Sequence, residues 1–176
     1  MKKHIVLIAV IVLAVAASLV LLGSNFAKNM VHDNLVEQKI TFGTAEALTA
    51  EGDAYLVKYA GQSVDNGAKA YAYSQYIKGH LEKVAGGKTY SEVSAEFQKD
   101  KTNQTLAAQR QTLFMGETLR GLLLSAYGWG LLGVIAFWTA LGLYAAAALA
   151  LVGYLYIGSL TMTKKPTKKS VKNKRK

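Results

Sequence analysis

The chain has 176 residues, 51% of them hydrophobic, no cysteine and a formal charge of +10. That length allows one modest domain beside its apolar stretches, and the missing cysteine excludes disulfides, thiolate metal sites and cysteine nucleophiles. The charge argues against nucleic acid: the acidic residues, all between Asp33 and Glu117, are matched in number by the basic ones from Lys28 to Arg120, so the excess sits at the two ends, without interleaved aromatics.

The N-terminus reads MKKHIVLIAVIVLAVAASLVLLGS, a basic start before an apolar run from Ile5 to Leu22. As a helix this run spans about 27 Å, close to the roughly 30 Å of a hydrocarbon core. Signal-peptide cores run shorter, and the Ala14-Val15-Ala16 cleavage match lies inside the run rather than after it. The reading is an uncleaved signal anchor, with a cleaved signal as the alternative. Lys2 and Lys3 place the N-terminus in the cytoplasm.

From Asn25 the helix is expected to continue beyond the apolar run, with Phe26, Met30, Asp33 and Glu37 at helical spacing, until Gln38-Lys39-Ile40-Thr41-Phe42-Gly43 breaks the pattern. Thr44 can cap a second helix over AEALTAEGDAYLVKYA, weakened or bent at Gly52 and ended by Gly61. A third runs from about Val64 to Ala85, with Ala68, Tyr71, Ala72, Gln75, Tyr76 and Leu81 as its apolar and aromatic face. Gly86-Gly87 stops it. Thr89-Tyr90-Ser91-Glu92 is a capping box that starts a fourth helix, expected to run through Phe97, Leu106 and Phe114 towards the terminal apolar stretch.

That stretch, Leu119 to Leu160, carries one charge, Arg120. Continuous helix would make it about 63 Å long, enough for two crossings by length. A hairpin would have to turn near Trp138 to Gly142 with no polar loop, and it would send the basic tail to the outside against the positive-inside rule. One crossing, from Leu131 to about Gly158, avoids both, with Leu119 to Gly130 at the outer interface. Within the span Gly142, Ala146 and Ala150 form a row of small residues, widened by Ala145 and Gly153, that suits close helix packing against the Ile5 helix or another copy. The tail cations Lys164, Lys165, Lys168, Lys169, Lys172, Lys174, Arg175 and Lys176 suit an anionic inner leaflet.

The expected fold class is therefore an all-α membrane protein, two transmembrane helices flanking a small extracytoplasmic helical domain. Residues 1–24 form the N-terminus and first span, 25–118 the outer domain, 119–130 an interfacial segment, 131–160 the second span and 161–176 a basic cytoplasmic tail.

Several ordered motifs, QKITF (38–42), YAGQSVDNGAKAYAYSQYIKGHL (59–81), GKTYSEVS (87–94) and LFMGETLRGLLLSAYGW (113–129), resemble those of an uncharacterised two-pass membrane protein family of high-GC Gram-positive bacteria. The resemblance covers about residues 25 to 160 and implies a bacterial cell-envelope topology. Some members carry an automatic ring-opening dioxygenase label, which the residues here do not support. Such an enzyme needs two histidines and a carboxylate converging on iron. Of His4, His32 and His80, the only conceivable set is His32 with Asp33, Glu37 and His80, and adjacent residues 32 and 33 point in different directions on a helix.

No serine-protease-like triad, GxSxG elbow or phosphate-binding glycine loop is evident, and Gly86-Gly87-Lys88-Thr89 lacks the leading glycine and preceding strand of a P-loop. Asn103-Gln104-Thr105 matches a glycosylation triplet of a kind common by chance. Tyr55, Tyr59, Tyr71, Tyr73, Tyr76 and Tyr90 suit either a core with phenols at its rim or a pocket or partner surface. No catalytic, cofactor-binding or metal-binding residue is assigned, and no cofactor. The functional expectation is a non-enzymatic envelope protein whose outer domain binds a membrane-protein partner, scaffolds a complex or self-associates. The alternative is a ligand-sensing subunit with a separate transducer, followed by a metal-dependent enzyme.

Overall fold

The computed structural model describes the backbone of residues 2–162 and the side chains of 4–157. It is all-helical, with α1 (Lys2–Glu37), α2 (Ala45–Ala50), a 3₁₀ turn (Ala54–Tyr59), α3 (Gly67–Ala85), α4 (Tyr90–Lys99) and α5 (Gln104–Met162). Lys2, Lys3 and the tail cations, expected to set topology and bind lipid, lie outside the described side chains.

The boundaries follow local chemistry. Beyond Glu37 the chain turns at Lys39, which takes a positive φ of 52°. It then forms a short antiparallel pairing in which the Phe42 and Val64 amides donate to the Gln62 and Ile40 carbonyls. Thr44 caps α2 through its side chain, and the expected second helix stops early because Gly52 adopts φ +85°, a left-handed turn that side chains resist. The 3₁₀ turn follows. Asn66 caps α3, left-handed Gly86 closes it, and Thr89 with Glu92 forms the complete capping box of α4. The expected run of the fourth helix into the apolar stretch is overturned at Asp100. Its carboxylate accepts from Thr102 N and Oγ1 at 3.2 and 2.7 Å, while Asn103 caps α5 by accepting from Leu106 N at 3.1 Å. Such side-chain bonds give the backbone an alternative to helix.

By contrast α5 is unbroken over 59 residues. Residues 119–130 and 138–142 are helical throughout, so no hairpin turn occurs there.

The chain divides into two compact units, Leu22–Ala136 and Met1–Leu21 with Phe137–Lys176. In the first, one cluster joins Val31 and Leu35 of α1, Phe42, Leu48, Leu56, Val64, Ala70 and Ala72 with Leu123 of α5. A second joins Leu81, Ala85, Val93 and Leu113. Of the expected face of α3, Ala72 and Leu81 are buried, together with Ala70, Ser74 and Ala85, whereas Ala68 is exposed. Tyr71 stays 44% exposed, against Tyr127. The helix serves both clusters, so one apolar stripe does not describe it. Gly67 and Gly130 meet so closely that a Cβ on Gly130 would lie 3.1 Å from Gly67 Cα. Buried Ser24 donates to the Gly133 carbonyl at 2.6 Å.

In the other unit, Ala17, Ala140 and Ala147 are buried, and the Ser18 and Tyr144 hydroxyls are 2.8 Å apart. The expected small-residue row does not form this contact: Ala145 and Ala146 are exposed, and a Cβ on Gly142 or Gly153 would meet nothing within 4 Å. The packed positions 140 and 147 are seven residues apart, the spacing of a coiled-coil seam, whereas the row runs by fours.

Leu123 is 2% exposed, so Leu123→Ala should lower stability by about 2–5 kcal/mol. Thr89→Ala, which removes only a cap, should cost about 1 kcal/mol. Thermal unfolding in mild detergent, followed by circular dichroism, separates the two.

Candidate functional site

Aromatic rings lead from the core of the 22–136 unit to a polar cluster at its rim. Phe42 is stacked on Tyr59 with centroids 5.2 Å apart and meets the edge of Tyr73 at 5.3 Å. Tyr73 contacts Tyr76 at 5.3 Å, and Tyr76 contacts His80 at 4.3 Å. Three of the six singled-out tyrosines thus line one path, placed by the 3₁₀ turn and by successive turns of α3. Tyr55, Tyr71 and Tyr90 are exposed.

At the rim stand Glu51, Asp53 and His80, each offering one ligating atom within 4.8 Å of the others. Local folding explains the grouping. Glu51 ends α2, the left-handed Gly52 reverses the chain, and Asp53 precedes the 3₁₀ turn. Tyr76 and His80 sit one helical turn apart on α3. Tyr76 donates its hydroxyl to Glu51 Oε2 at 3.0 Å, and His80 Nε2 lies 3.5 Å from the same oxygen. His80 Nδ1 is 3.2 Å from the Tyr76 main-chain oxygen. A carbonyl can only accept, so that nitrogen carries a proton. Lys83 donates to the Glu51 main-chain oxygen at 2.6 Å. Asp53 is 6% exposed, and its Oδ2 has no hydrogen-bond partner among the described residues.

Burial, reinforced at two of the three positions by the carboxylates, holds the phenols neutral. Burial first, then a hydrogen bond to Glu51 and the charges of Glu51, Tyr73 and Asp53, push the Tyr76 hydroxyl up to about 12. Burial, followed by the charge of Asp53 and hydrogen bonding to it, raises Tyr55. Burial alone raises Tyr73. Phenols kept neutral in this way can donate to carboxylates well into the alkaline range.

The histidine and carboxylate set weighed from the sequence is not assembled. His32 Nδ1 contacts the Asp65 carbonyl at 3.0 Å, and neither it nor Asp33 or Glu37 joins His80 in a metal-holding group among the described residues. Glu51 and Asp53 were missed because 26 positions separate Asp53 from His80 in the chain. The legible signal was a pair of carboxylates flanking a glycine turn. The Gly86 to Thr89 segment joins two helix caps, and Asn103 of the glycosylation triplet is an N-cap.

A separate open groove of about 570 Å³ is lined by Lys28, Asn29, His32, Asp65, Asn66, Tyr127 and Leu131, among others. Burial, the largest single influence on Asp65, raises its pKa. The Lys69 hydrogen bond and charge, the Asn66 bond and the His32 charge outweigh burial and leave the pKa lowered. Lys69 Nζ sits 3.0 Å from its carboxylate.

For Tyr76 the folded state holds the proton more tightly than the unfolded chain, whose pKa is 10.0. Its contribution to stability is therefore whole below pH 10 and lost as pH rises from there to about 12. Tyr76→Phe should make the alkaline fall in melting temperature shallower across that interval while leaving the neutral-pH spectrum helical. No family model, curated protein or solved structure matches this chain, so the motif resemblance stands by itself and brings no residue role to the cluster.

Proposed function

We propose that this chain is an integral protein of a bacterial cell envelope, with α1 and α5 each crossing the membrane once and residues 25–118 forming an extracytoplasmic helical domain. One observation carries the reading. The apolar windows of the two long helices are only 6% and 11% buried, with Ile5, Leu22, Trp138 and Leu149 at 64%, 65%, 66% and 74% exposure. A soluble core helix would hide such side chains. Leaving them in water costs roughly 25 cal/mol per Å² of apolar surface, whereas lipid accepts them freely. The basic residues at both ends of the sequence support cytoplasmic termini.

The role that fits best is non-enzymatic: the outer domain binds a membrane-protein partner or scaffolds a complex. One apolar cluster fastens α2, the 3₁₀ turn and α3 to α1 and α5, and a second joins α3, α4 and α5, which suits a domain that presents a fixed surface. The polar-edged groove beside Lys28, His32 and Asp65 has the size of a small-ligand site and favours, as a second reading, a sensing subunit that works through a separate transducer.

The absence of cysteine makes topology directly testable. Ser91→Cys should react with a membrane-impermeant maleimide in intact cells, and Lys168→Cys only after permeabilisation. Reversed labelling would sink the orientation. Crosslinking in cells followed by mild-detergent purification should recover a recurrent membrane partner or a second copy. Recovery of monomer alone would defeat the scaffold reading and move attention to ligands that raise the domain's melting temperature.

A further inference from the structure

The cluster of Glu51, Asp53 and His80 has the chemistry of a cation site, a role the sequence alone did not assign. Two observations point the same way. His80 has its Nδ1 proton committed to the Tyr76 carbonyl, so in the neutral ring the Nε2 lone pair is the free ligating position. That lone pair faces Glu51 Oε2 at 3.5 Å, an acceptor opposite an acceptor unless a positive charge lies between them. Two ligands of one tetrahedral zinc, with bonds of about 2.0–2.2 Å, stand roughly 3.4 Å apart. The Glu51 and His80 atoms already have that spacing.

The second observation is Asp53. It is 6% exposed and contributes a carboxylate oxygen within 4.8 Å of the other two ligating atoms, yet its buried Oδ2 is unpartnered among the described residues. A carboxylate oxygen buried without a partner is costly, and coordination to a metal is one of the few arrangements that compensates it. Glu51 and His80, with side chains 42% and 39% exposed, leave an entry path. The outer ring is also in place: the Tyr76 hydroxyl bonds Glu51 and the Tyr76 carbonyl orients His80, as supporting groups do around metal ligands. Lys83 donates to the Glu51 main-chain oxygen.

We propose that Glu51, Asp53 and His80 bind one divalent first-row transition ion of the zinc type, pinning the α2 end and the turn after it to α3. The imidazole ligand favours zinc over magnesium or calcium, which prefer all-oxygen sites. The competing occupant is a proton on His80 Nε2, giving a simple ion pair with Glu51.

Titration calorimetry with Zn²⁺ on the untagged, chelator-stripped full chain in detergent decides between them. The expected result is one equivalent bound, a rise in melting temperature with Zn²⁺, and neither effect with Mg²⁺ at the same concentration. His80→Gln, at a half-buried rim position, should weaken binding at least about tenfold while its metal-free melting curve stays near that of the parent. Asp53→Asn should do the same where it folds. His32→Gln should bind as the parent does. Absence of zinc binding, or equal binding in His80→Gln, would overturn the site. Neither result depends on the membrane topology or on the partner.

Discussion

Contact between the two long helices and the short elements, through Val31, Leu35 and Leu123, is the constraint on which the 22–136 unit depends. A six-residue helix such as α2 and a ten-residue helix such as α4 are below the length at which isolated helices persist in water. They hold their shape because Leu48 and Val93 are buried, at 1% and 0% exposure, against partners from elsewhere in the chain. The caps at Thr44, Asn66 and Thr89 then decide where each helix begins, and Phe42 starts the line of rings leading outward. Order at the rim, including the Tyr76 bond to Glu51, is inherited from that core.

What the sequence disclosed was mostly local. A threonine followed three residues later by glutamate, or paired glycines after an apolar run, carries its own geometry, and Thr89, Glu92, Gly86 and Gly52 behave as that chemistry requires. The end of α1 near Glu37 and the two apolar helices were equally legible, since one depends on a break in pattern and the other on bulk hydropathy. The break at Asp100 was less visible, because Asp, Thr and Asn are tolerable inside a helix and act as breakers only when their side chains turn back on the main chain. The buried faces of α3 and α5 were only partly legible for another reason. Both helices are apolar or mixed around much of their circumference, so periodicity does not choose a side and the neighbouring elements do.

The rim cluster belongs to the class of features that only folding creates. Its three ligating residues come from α2's end, the turn after Gly52 and the fourth turn of α3, and none has a motif of its own. Glu51 serves several partners there, receiving the Tyr76 hydroxyl, facing His80 and taking Lys83 on its main-chain oxygen. Such sharing adds to burial in keeping the Tyr76 phenol neutral and concentrates negative charge where Asp53 is already buried. The same arrangement would be poor design for stability alone, which is why the cluster stands out from the surface ion pairs Lys78–Glu82 and Lys88–Glu96.

The meeting of Gly67 with Gly130 also limits how this chain can diverge. A Cβ on either residue would press on the backbone of the other, at 3.2 Å from Gly130 Cα or 3.1 Å from Gly67 Cα, and backbone cannot rotate aside as a side chain can. Neither position can therefore drift independently. In any lineage that keeps this docking, the two glycines form a linked signature 63 residues apart, and a descendant that loses one must move the start of α3 away from α5. Paired glycines at those two positions would thus identify distant relatives whose overall sequences have ceased to align.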